Sequence, residues 1–148
     1  MISIKPIANE DVEACSVIFM DAYNRYPWNY RWVHDKAVKY LKEYTDRTNF
    51  AGFVLYDDNV IMGAVFCHTK TWWTGNQFYI DELFVNPEKQ GKGYGKQLIN
   101  YCEEYCRQHG VETITLMTNN LMPAYEFYVA SDYMKVGHYA FMFKQVEE

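Results

Sequence analysis

The sequence predicts a single mixed α/β domain of 148 residues, with helices on both faces of a central sheet. The period of the apolar positions changes repeatedly along the chain, between the alternation typical of strands and the spacing typical of helices. The resulting order is strand, two helices, three strands, helix, strand, helix and two strands, which is typical of one layered α/β structure. No internal repeat and no Gly- or Pro-rich linker divides residues 1–148, so we expect one core.

The N-terminal part of the chain predicts one strand and two helices. The stretch ISIKPI alternates apolar and polar residues before Pro6 and predicts a short strand. Asn9 is a favoured N-cap residue, and the acidic residues after it suit the positive end of a helix that runs to about Tyr23. Apolar residues at helical spacing between Val33 and Thr45 predict a second helix.

The middle of the chain predicts three long strands. FAGFVLY and VIMGAVFCHT are apolar runs joined by Asp57, Asp58 and Asn59, which favour a tight turn, so these runs predict an antiparallel hairpin. Residues 77–85, QFYIDELFV, predict a third strand. Its apolar positions lie on both faces, which requires helices on both sides of the sheet.

The C-terminal part predicts a helix, a strand, a short helix and two strands. Apolar residues at helical spacing between Gly95 and His109 predict the first of these helices. ETITLMT (112–118) predicts the strand, and PAYEFYVA (123–130) predicts a short helix with a proline in its first turn. Residues 133–146 predict two final strands.

Charge and composition argue against several classes of function. The formal net charge of −5 argues against a duplex nucleic acid partner and suits a cationic acceptor. No segment approaches the roughly 18 apolar residues that span a bilayer, and the N-terminus lacks the pattern of a signal peptide, so we expect a soluble, cytoplasmic protein with no membrane partner. The spacings of the four cysteines and four histidines match no metal or disulfide framework, so we expect no metal.

The stretch QGKGYGKQL (90–98) predicts an anion-binding loop. Glycines between a strand and a helix leave backbone N–H groups and the positive end of the helix dipole directed at one place. Lys89, Lys92 and Lys96 add positive charge, which favours a phosphate over the alternative of a structural turn with a capping glycine. The glycine spacing matches neither the phosphate loop of nucleotide hydrolases nor the dinucleotide fingerprint.

These glycines also carry a family resemblance. Gln90, Gly93 and Gly95 fit the Gln/Arg-x-x-Gly-x-Gly/Ala signature of the GNAT superfamily of N-acetyltransferases. IDELFVNPEKQGKGYGKQLINYCEEY resembles the fourth strand, loop and third helix of that family, and AYEFYVASDY resembles its fourth helix. The resemblance implies a mostly antiparallel sheet splayed between the fourth and fifth strands. It also implies that acetyl-CoA is the co-substrate.

The resemblance implies which residues contact acetyl-CoA. Backbone groups at the end of the fourth strand would pair with the pantetheine arm, and amides of the glycine loop would hold the pyrophosphate. Gln90 departs from the commoner Arg, and Leu121 stands where an Asn is usual, with Asn120 one residue early. The residues assigned to the cofactor are Leu83, Phe84, Val85, Gln90, Gly91, Lys92, Gly93, Tyr94, Gly95, Lys96 and Asn120.

Acetyl transfer poses two proton problems, because an alkylammonium must lose a proton before it attacks and the departing thiolate is better protonated. Asp81 and Glu82 lie beside the expected thioester, but neighbouring strand residues face opposite ways unless a bulge intervenes. The resemblance favours Asp81 as the base, with Glu82 as a second cleft acid or a surface ion-pair partner. It also implies that the Tyr128 hydroxyl is the acid. The alternatives are solvated charges at a strand edge and a core tyrosine.

Aromatic residues in two loops are candidates for binding the acceptor amine, since ring faces attract cations. The alternative is that they pack on the core or form a dimer face. We expect a small-molecule primary amine as acceptor. A protein or peptide N-acetyltransferase, a non-catalytic acyl-CoA sensor and an unrelated nucleotide binder are the other hypotheses, and a homodimer is a possible assembly. The candidate acceptor residues are Tyr26, Trp28, Trp32, Trp72 and Trp73.

Overall fold

A computed structural model describes residues 1–147 of the chain. The chain forms two compact units, Met1–Met117 and Thr118–Glu148. Among residues 1–147, the first unit contains the sheet and three α-helices, and the second contains one α-helix. That residues 1–148 form a single domain stays a prediction.

The sheet has five strands in the order β1-β2-β3-β4-β5. The first three pairings are antiparallel and the pairing of β4 with β5 is parallel, which confirms a mixed, mostly antiparallel sheet. The strands are β1 (Ile2–Pro6), β2 (Phe50–Asp57), β3 (Val60–Lys70), β4 (Gln77–Val85) and β5 (Thr113–Leu116).

Helices cover both faces of this sheet, as its apolar pattern requires. On one face, Phe19 and Leu41 belong to a buried core that includes Phe84 of β4. On the other face, the ring of Phe53 lies 4.8 Å from the ring of Tyr101. These are called the α1–α2 face and the α3 face. The helices are α1 (Val12–Tyr23), α2 (His34–Thr45), α3 (Tyr94–Gln108) and, in the second unit, α4 (Pro123–Ala130).

Strand β4 separates from β5 halfway along its length. The two strands pair only from Gln77 to Ile80, whereas β4 continues to Val85. No strand among residues 1–147 pairs with the outer edge of β4 beyond Ile80. The second half of that edge is therefore open, which confirms the splay between the fourth and fifth strands.

Helix starts differ slightly from the sequence-based expectation. Asn9 is not the N-cap of α1, because it opens a short 3-10 turn, Asn9–Asp11, that precedes the helix. The carboxylate of Asp11 accepts the Ala8 N–H at 2.8 Å and so satisfies a donor ahead of that turn. Helix α3 begins at Tyr94, one residue earlier than expected.

The two strands predicted for residues 133–146 are not found, and this prediction was wrong. Described residues in this segment form no strand, and side chains such as Met142 and Phe143 are exposed. Alternating apolar and polar residues indicate that one side of a segment avoids water. A strand also needs a neighbouring strand whose backbone groups pair with its N–H and C=O groups. In the described part of the segment, the Tyr139 N–H donates to the Val136 carbonyl and the Tyr133 N–H donates to the Tyr128 carbonyl of the preceding helix, and neither bond is a strand pairing.

Candidate active site

A bulge in β4 is the feature that shapes the site. Ile80 pairs with Cys67 of β3, and Glu82 pairs with the adjacent residue Phe66, so Asp81 has no partner of its own. At this point β4 has one more residue than the part of β3 that it pairs with, which defines a bulge.

The bulge brings both acids to the same face of the sheet. Before it, Phe78 lies on the α3 face, where its ring is 5.6 Å from Tyr105. After it, Phe84 lies on the α1–α2 face, where its ring is 5.5 Å from Phe19. In a regular strand all even-numbered residues point to one face, so the extra residue in the bulge reverses the face to which they point. Glu82 therefore faces the α1–α2 side, as does Asp81, which precedes the reversal.

Glu82 is enclosed by phenol groups on that face. The Tyr40 hydroxyl donates to its Oε2 atom at 2.6 Å, and the Tyr44 hydroxyl lies 2.8 Å from the Tyr40 hydroxyl. Burial raises the pKa of Glu82 to about 7, although hydrogen bonds from Tyr40 and Tyr23 favour the ionised form. Glu82 can therefore exchange a proton close to neutral pH.

Asp81 is paired with a histidine to which sequence reasoning assigned no role. Its Oδ2 atom lies 2.7 Å from Nδ1 of His68, and the two side chains are 8% and 16% exposed. Burial raises the pKa of Asp81, while His68 and Arg47 act in the opposite direction. The sequence carries no direct signal for this contact, because it forms across the pairing of β3 with β4, in which His68 stands opposite Tyr79, two residues before Asp81.

The glycine loop leads from β4 into α3 and uses left-handed backbone conformations. Gly91 has φ of 84° and Gly93 has φ of 80°. A Cβ atom built on either would meet nothing within 4 Å. The glycines are therefore required by backbone conformation and not by close packing within the chain.

The loop presents a row of unused backbone donors. No acceptor within residues 1–147 takes the N–H groups from Gly91 to Lys96, which include the first N–H groups of α3. The hydroxyl of Tyr94 donates to Asp57 at 2.5 Å and fixes the loop to the turn between β2 and β3. None of the ion pairs formed by described residues involves Lys92 or Lys96. Free amides at a positive helix end, beside uncommitted lysines, fit a diphosphate such as that of acetyl-CoA.

The second unit holds the remaining residues assigned to chemistry and cofactor. Tyr128 is buried in α4, with its ring 5.3 Å from Phe127 and 5.6 Å from Tyr133. Asn120 is exposed. The acid role of Tyr128 and the cofactor contact of Asn120 stay predictions.

The candidate acceptor aromatics divide into packed and exposed groups. Trp32 lies 5.1 Å from both Phe19 and Tyr40, so one of its roles is packing against the core. Trp28 likewise packs on Tyr23, at 5.2 Å. In contrast, Tyr26 and Trp73 are exposed, and Trp72 lies under the Lys70 ammonium. Among described residues, no ring contact joins Trp72 or Trp73 to the loop that carries Trp28 and Trp32.

A shallow, open hollow of about 330 Å³ adjoins Trp32 of the packed group and carries positive charge. It is lined by Tyr30, Arg31, Trp32 and Lys36. Neither Arg31 nor Lys36 forms an ion pair with an acid in residues 1–147. Trp32 contacts Tyr40, which donates to Glu82, so the hollow adjoins the acid-bearing face. The sequence predicted rings around a cationic amine, whereas the cations Arg31 and Lys36 in this lining were not predicted.

The described residues offer neither a metal-binding cluster nor a membrane-spanning helix. Among described residues, no cluster of three or more His, Cys, Asp or Glu side chains is placed to hold a metal ion. No helix within the described chain has the length and apolar character needed to cross a bilayer.

Comparison with known proteins identifies a family model and a curated relative. The model described as Acetyltransferase (GNAT) family matches residues 13–132. The aminoalkylphosphonate N-acetyltransferase of Salmonella typhimurium strain LT2 is 39% identical over 70 residues, which is 47% of this chain and 43% of that protein. The match thus spans less than half of the relative.

Solved structures of similar fold cover nearly the whole chain. A transcriptional regulator from Bacillus halodurans C-125 has a TM-score of 0.79 at 18% identity, over 98% of this chain and 100% of that one. An aminoglycoside N-acetyltransferase in complex with CoA has a TM-score of 0.76 at 16% identity, over 99% and 96% of the two chains. At these identities the likeness concerns the fold alone.

Proposed function

The chain belongs to the acetyltransferase (GNAT) family, and from this premise we propose that it is an acetyl-CoA-dependent N-acetyltransferase of small primary amines. One observation carries the proposal: the strand that presents two acids on one face leads directly into a loop whose amides are free. A site of this kind binds a diphosphate at one end and exchanges protons at the other.

The residues that would hold acetyl-CoA lie along β4 and the glycine loop. Amides from Gly91 to Lys96 are suited to the diphosphate, and the open edge of β4 at Leu83, Phe84 and Val85 is suited to the amide groups of pantetheine. When bound, acetyl-CoA supplies an activated acetyl thioester. The exposed Gln90 side chain carries no charge, so the diphosphate would be held mainly by backbone groups and lysines.

The amine nitrogen forms a C–N bond to the acetyl carbonyl carbon while the C–S bond breaks. Glu82 is the carboxylate best placed to take the first proton from the ammonium, because its pKa of about 7 matches a base that works near neutral pH. Asp81, which the family resemblance favours, already shares one oxygen with His68. In the proposed scheme the sulfur receives a proton from Tyr128 or from water.

The acceptor is proposed to be a small amine that also carries an anionic group. Arg31 and Lys36 offer charge to such a group in the hollow, and Glu82 lies beyond the Trp32–Tyr40 contact. The relative that acts on aminoalkylphosphonates supports this class, since such molecules join an amine to an anion.

The experiment is a thiol-release assay with acetyl-CoA and a panel of amines. The panel contains aminoalkylphosphonates, aminoglycosides, simple alkylamines and short peptides. The proposal is supported if the wild-type protein acetylates a small amine and Glu82→Gln lowers the rate of transfer about a hundredfold or more with CoA affinity unchanged. Binding of CoA without transfer to any amine would instead identify an acyl-CoA sensor, and transfer only to peptides would identify a protein acetyltransferase.

We also propose that the protein forms a homodimer. Exposed apolar side chains near the C-terminus, including Phe141, Phe143 and Val146, support an interface between copies. Sedimentation velocity at micromolar concentration tests this, and a monomer over the whole range would contradict it.

A further inference from the structure

We propose that His68, oriented by Asp81, is a second proton acceptor of the transfer reaction. This proposal rests on the proposed N-acetyltransferase function. Its basis is the short contact between His68 Nδ1 and Asp81 Oδ2, at 2.7 Å, in a partly buried position on the α1–α2 face.

The direction of the hydrogen bond leaves one ring nitrogen available. With Asp81 assigned as the ionised partner, its carboxylate can only accept, and this assignment puts the shared proton on Nδ1 of His68. In the neutral imidazole Nε2 then has a free lone pair. Within residues 1–147, no hydrogen bond involves Nε2 of His68, and its ring lies 5.2 Å from the ring of Tyr79. With 16% of its side chain exposed, His68 is open to a small acceptor or to water.

His68 belongs to the same face as Glu82. It stands two residues after Phe66 on β3, and Phe66 lies in the core under α1 and α2. Burial raises the pKa of Tyr44, and the charges of Asp81 and Glu82 raise it further. Asp81 and Glu82 are consecutive residues that the bulge turns to this same face, so the His68–Asp81 pair lies beside the Glu82 network.

The proton balance of acetyl transfer leaves a role for a second proton acceptor. An alkylammonium has three N–H bonds and the product amide has one, so two protons leave the nitrogen. One proton ends on the sulfur of CoA and one is released to water. Glu82 takes the first when the ammonium becomes an amine. His68 takes the second as the C–N bond forms: an N–H bond breaks, an Nε2–H bond forms, and the resulting imidazolium is stabilised by the Asp81 carboxylate.

The competing explanation is that His68 has only a structural role and stabilises the bulge through its hydrogen bond with Asp81. His68→Asn separates the two, because its amide N–H₂ can still donate to Asp81 from near the Nδ1 position but no basic nitrogen replaces Nε2. We expect kcat to fall about a hundredfold or more in His68→Asn, with the KM for acetyl-CoA unchanged. The matched control is His109→Asn, which removes the imidazole that stacks on Tyr105 on the far face and should leave kcat unchanged.

Two results would overturn the proposal. A folded His68→Asn variant with kcat within about twofold of wild type would show that Nε2 is not needed. If that variant does not fold, histidine nitrogen NMR of the wild-type protein at pH 8 decides: a proton on Nδ1 is expected, and a proton on Nε2 of neutral His68 contradicts the assignment. Absence of acetyl transfer by the wild type would instead overturn the proposed function, and this proposal with it.

Discussion

Replacement of Gly93 by alanine tests whether the backbone of the loop binds the diphosphate. Gly93 has φ of 80°, and a Cβ atom there meets nothing within 4 Å, so the substitution adds strain without a clash. A left-handed conformation costs an alanine roughly 1–2 kcal/mol. We expect the variant loop to relieve part of that strain by rotating the adjacent peptide planes, which would turn the N–H groups of Gly93 and Tyr94 away from a bound diphosphate.

The size of the effect follows from those two donors. Hydrogen bonds to charged groups contribute about 1.5 kcal/mol each at the low end, so loss of two costs about 3 kcal/mol, or about a hundredfold in the dissociation constant of CoA. Isothermal titration calorimetry with CoA measures this. The strain itself should lower the melting temperature by roughly 3–6 °C in a chain of this size.

Gly110→Ala is a matched control for this experiment. Gly110 also has positive φ, at 67°, and a Cβ atom there also meets nothing within 4 Å, but it follows the opposite end of α3. It should lower stability by a similar amount and leave CoA affinity unchanged. Equal CoA affinity in Gly93→Ala and Gly110→Ala would refute the role assigned to the loop.

Four further predictions concern the acids, the acceptor and the core. Folding raises the pKa of Glu82 from 4.5 to about 7, so the folded state binds a proton more tightly than the unfolded state does. The free energy of unfolding should therefore fall by roughly 3 kcal/mol at most as pH rises through this window. In urea titrations, Glu82→Gln should flatten this pH dependence. Tyr40→Phe removes a donor to the ionised carboxylate, so the acidic limb of the kcat profile should move to higher pH, and a shift to lower pH would contradict this. Arg31→Ala should raise the KM for aminomethylphosphonate about tenfold and leave that for propylamine unchanged; equal changes would exclude an anion contact. Leu41→Ala should cost about 2–5 kcal/mol of unfolding free energy, measured in urea, because Leu41 is fully buried.

The order of elements through α4 could be predicted from sequence because the spacing of apolar residues differs between helices and strands. The hairpin turn at Asp58 and Asn59 is an example, since both residues adopt the positive φ that such turns require. The last two predicted strands failed because strand formation at 133–146 depends on a partner edge, which the segment itself does not encode.

The glycine loop was also predictable, because Gly91 and Gly93 use conformations that few other residues adopt. The bulge was not, since QFYIDELFV contains no glycine or proline to mark it. Without the bulge, Asp81 and Glu82 would face opposite ways and only one acid would be available. The role of His68 depended on the same bulge, because the hydrogen bond to Asp81 forms across two strands.

The packed aromatics show how burial changes a functional interpretation. Trp28 and Trp32 were candidates for binding a cation, yet both contact core tyrosines and their neighbours Arg31 and Lys36 make the adjoining hollow positive. Composition alone indicated an acidic protein with a net charge of −5. Local charge at one surface can oppose the net charge of the chain, and only the fold shows where.

Amide NMR of the ¹⁵N-labelled protein tests most directly whether the free amides of the loop bind the diphosphate of CoA. On titration with CoA, the resonances of Gly91, Gly93 and Gly95 should shift strongly while that of Gly110 stays in place. Pantetheine, which has no diphosphate, should leave the loop resonances unchanged. Saturating CoA binding that moves none of the three loop glycines would contradict the proposed site.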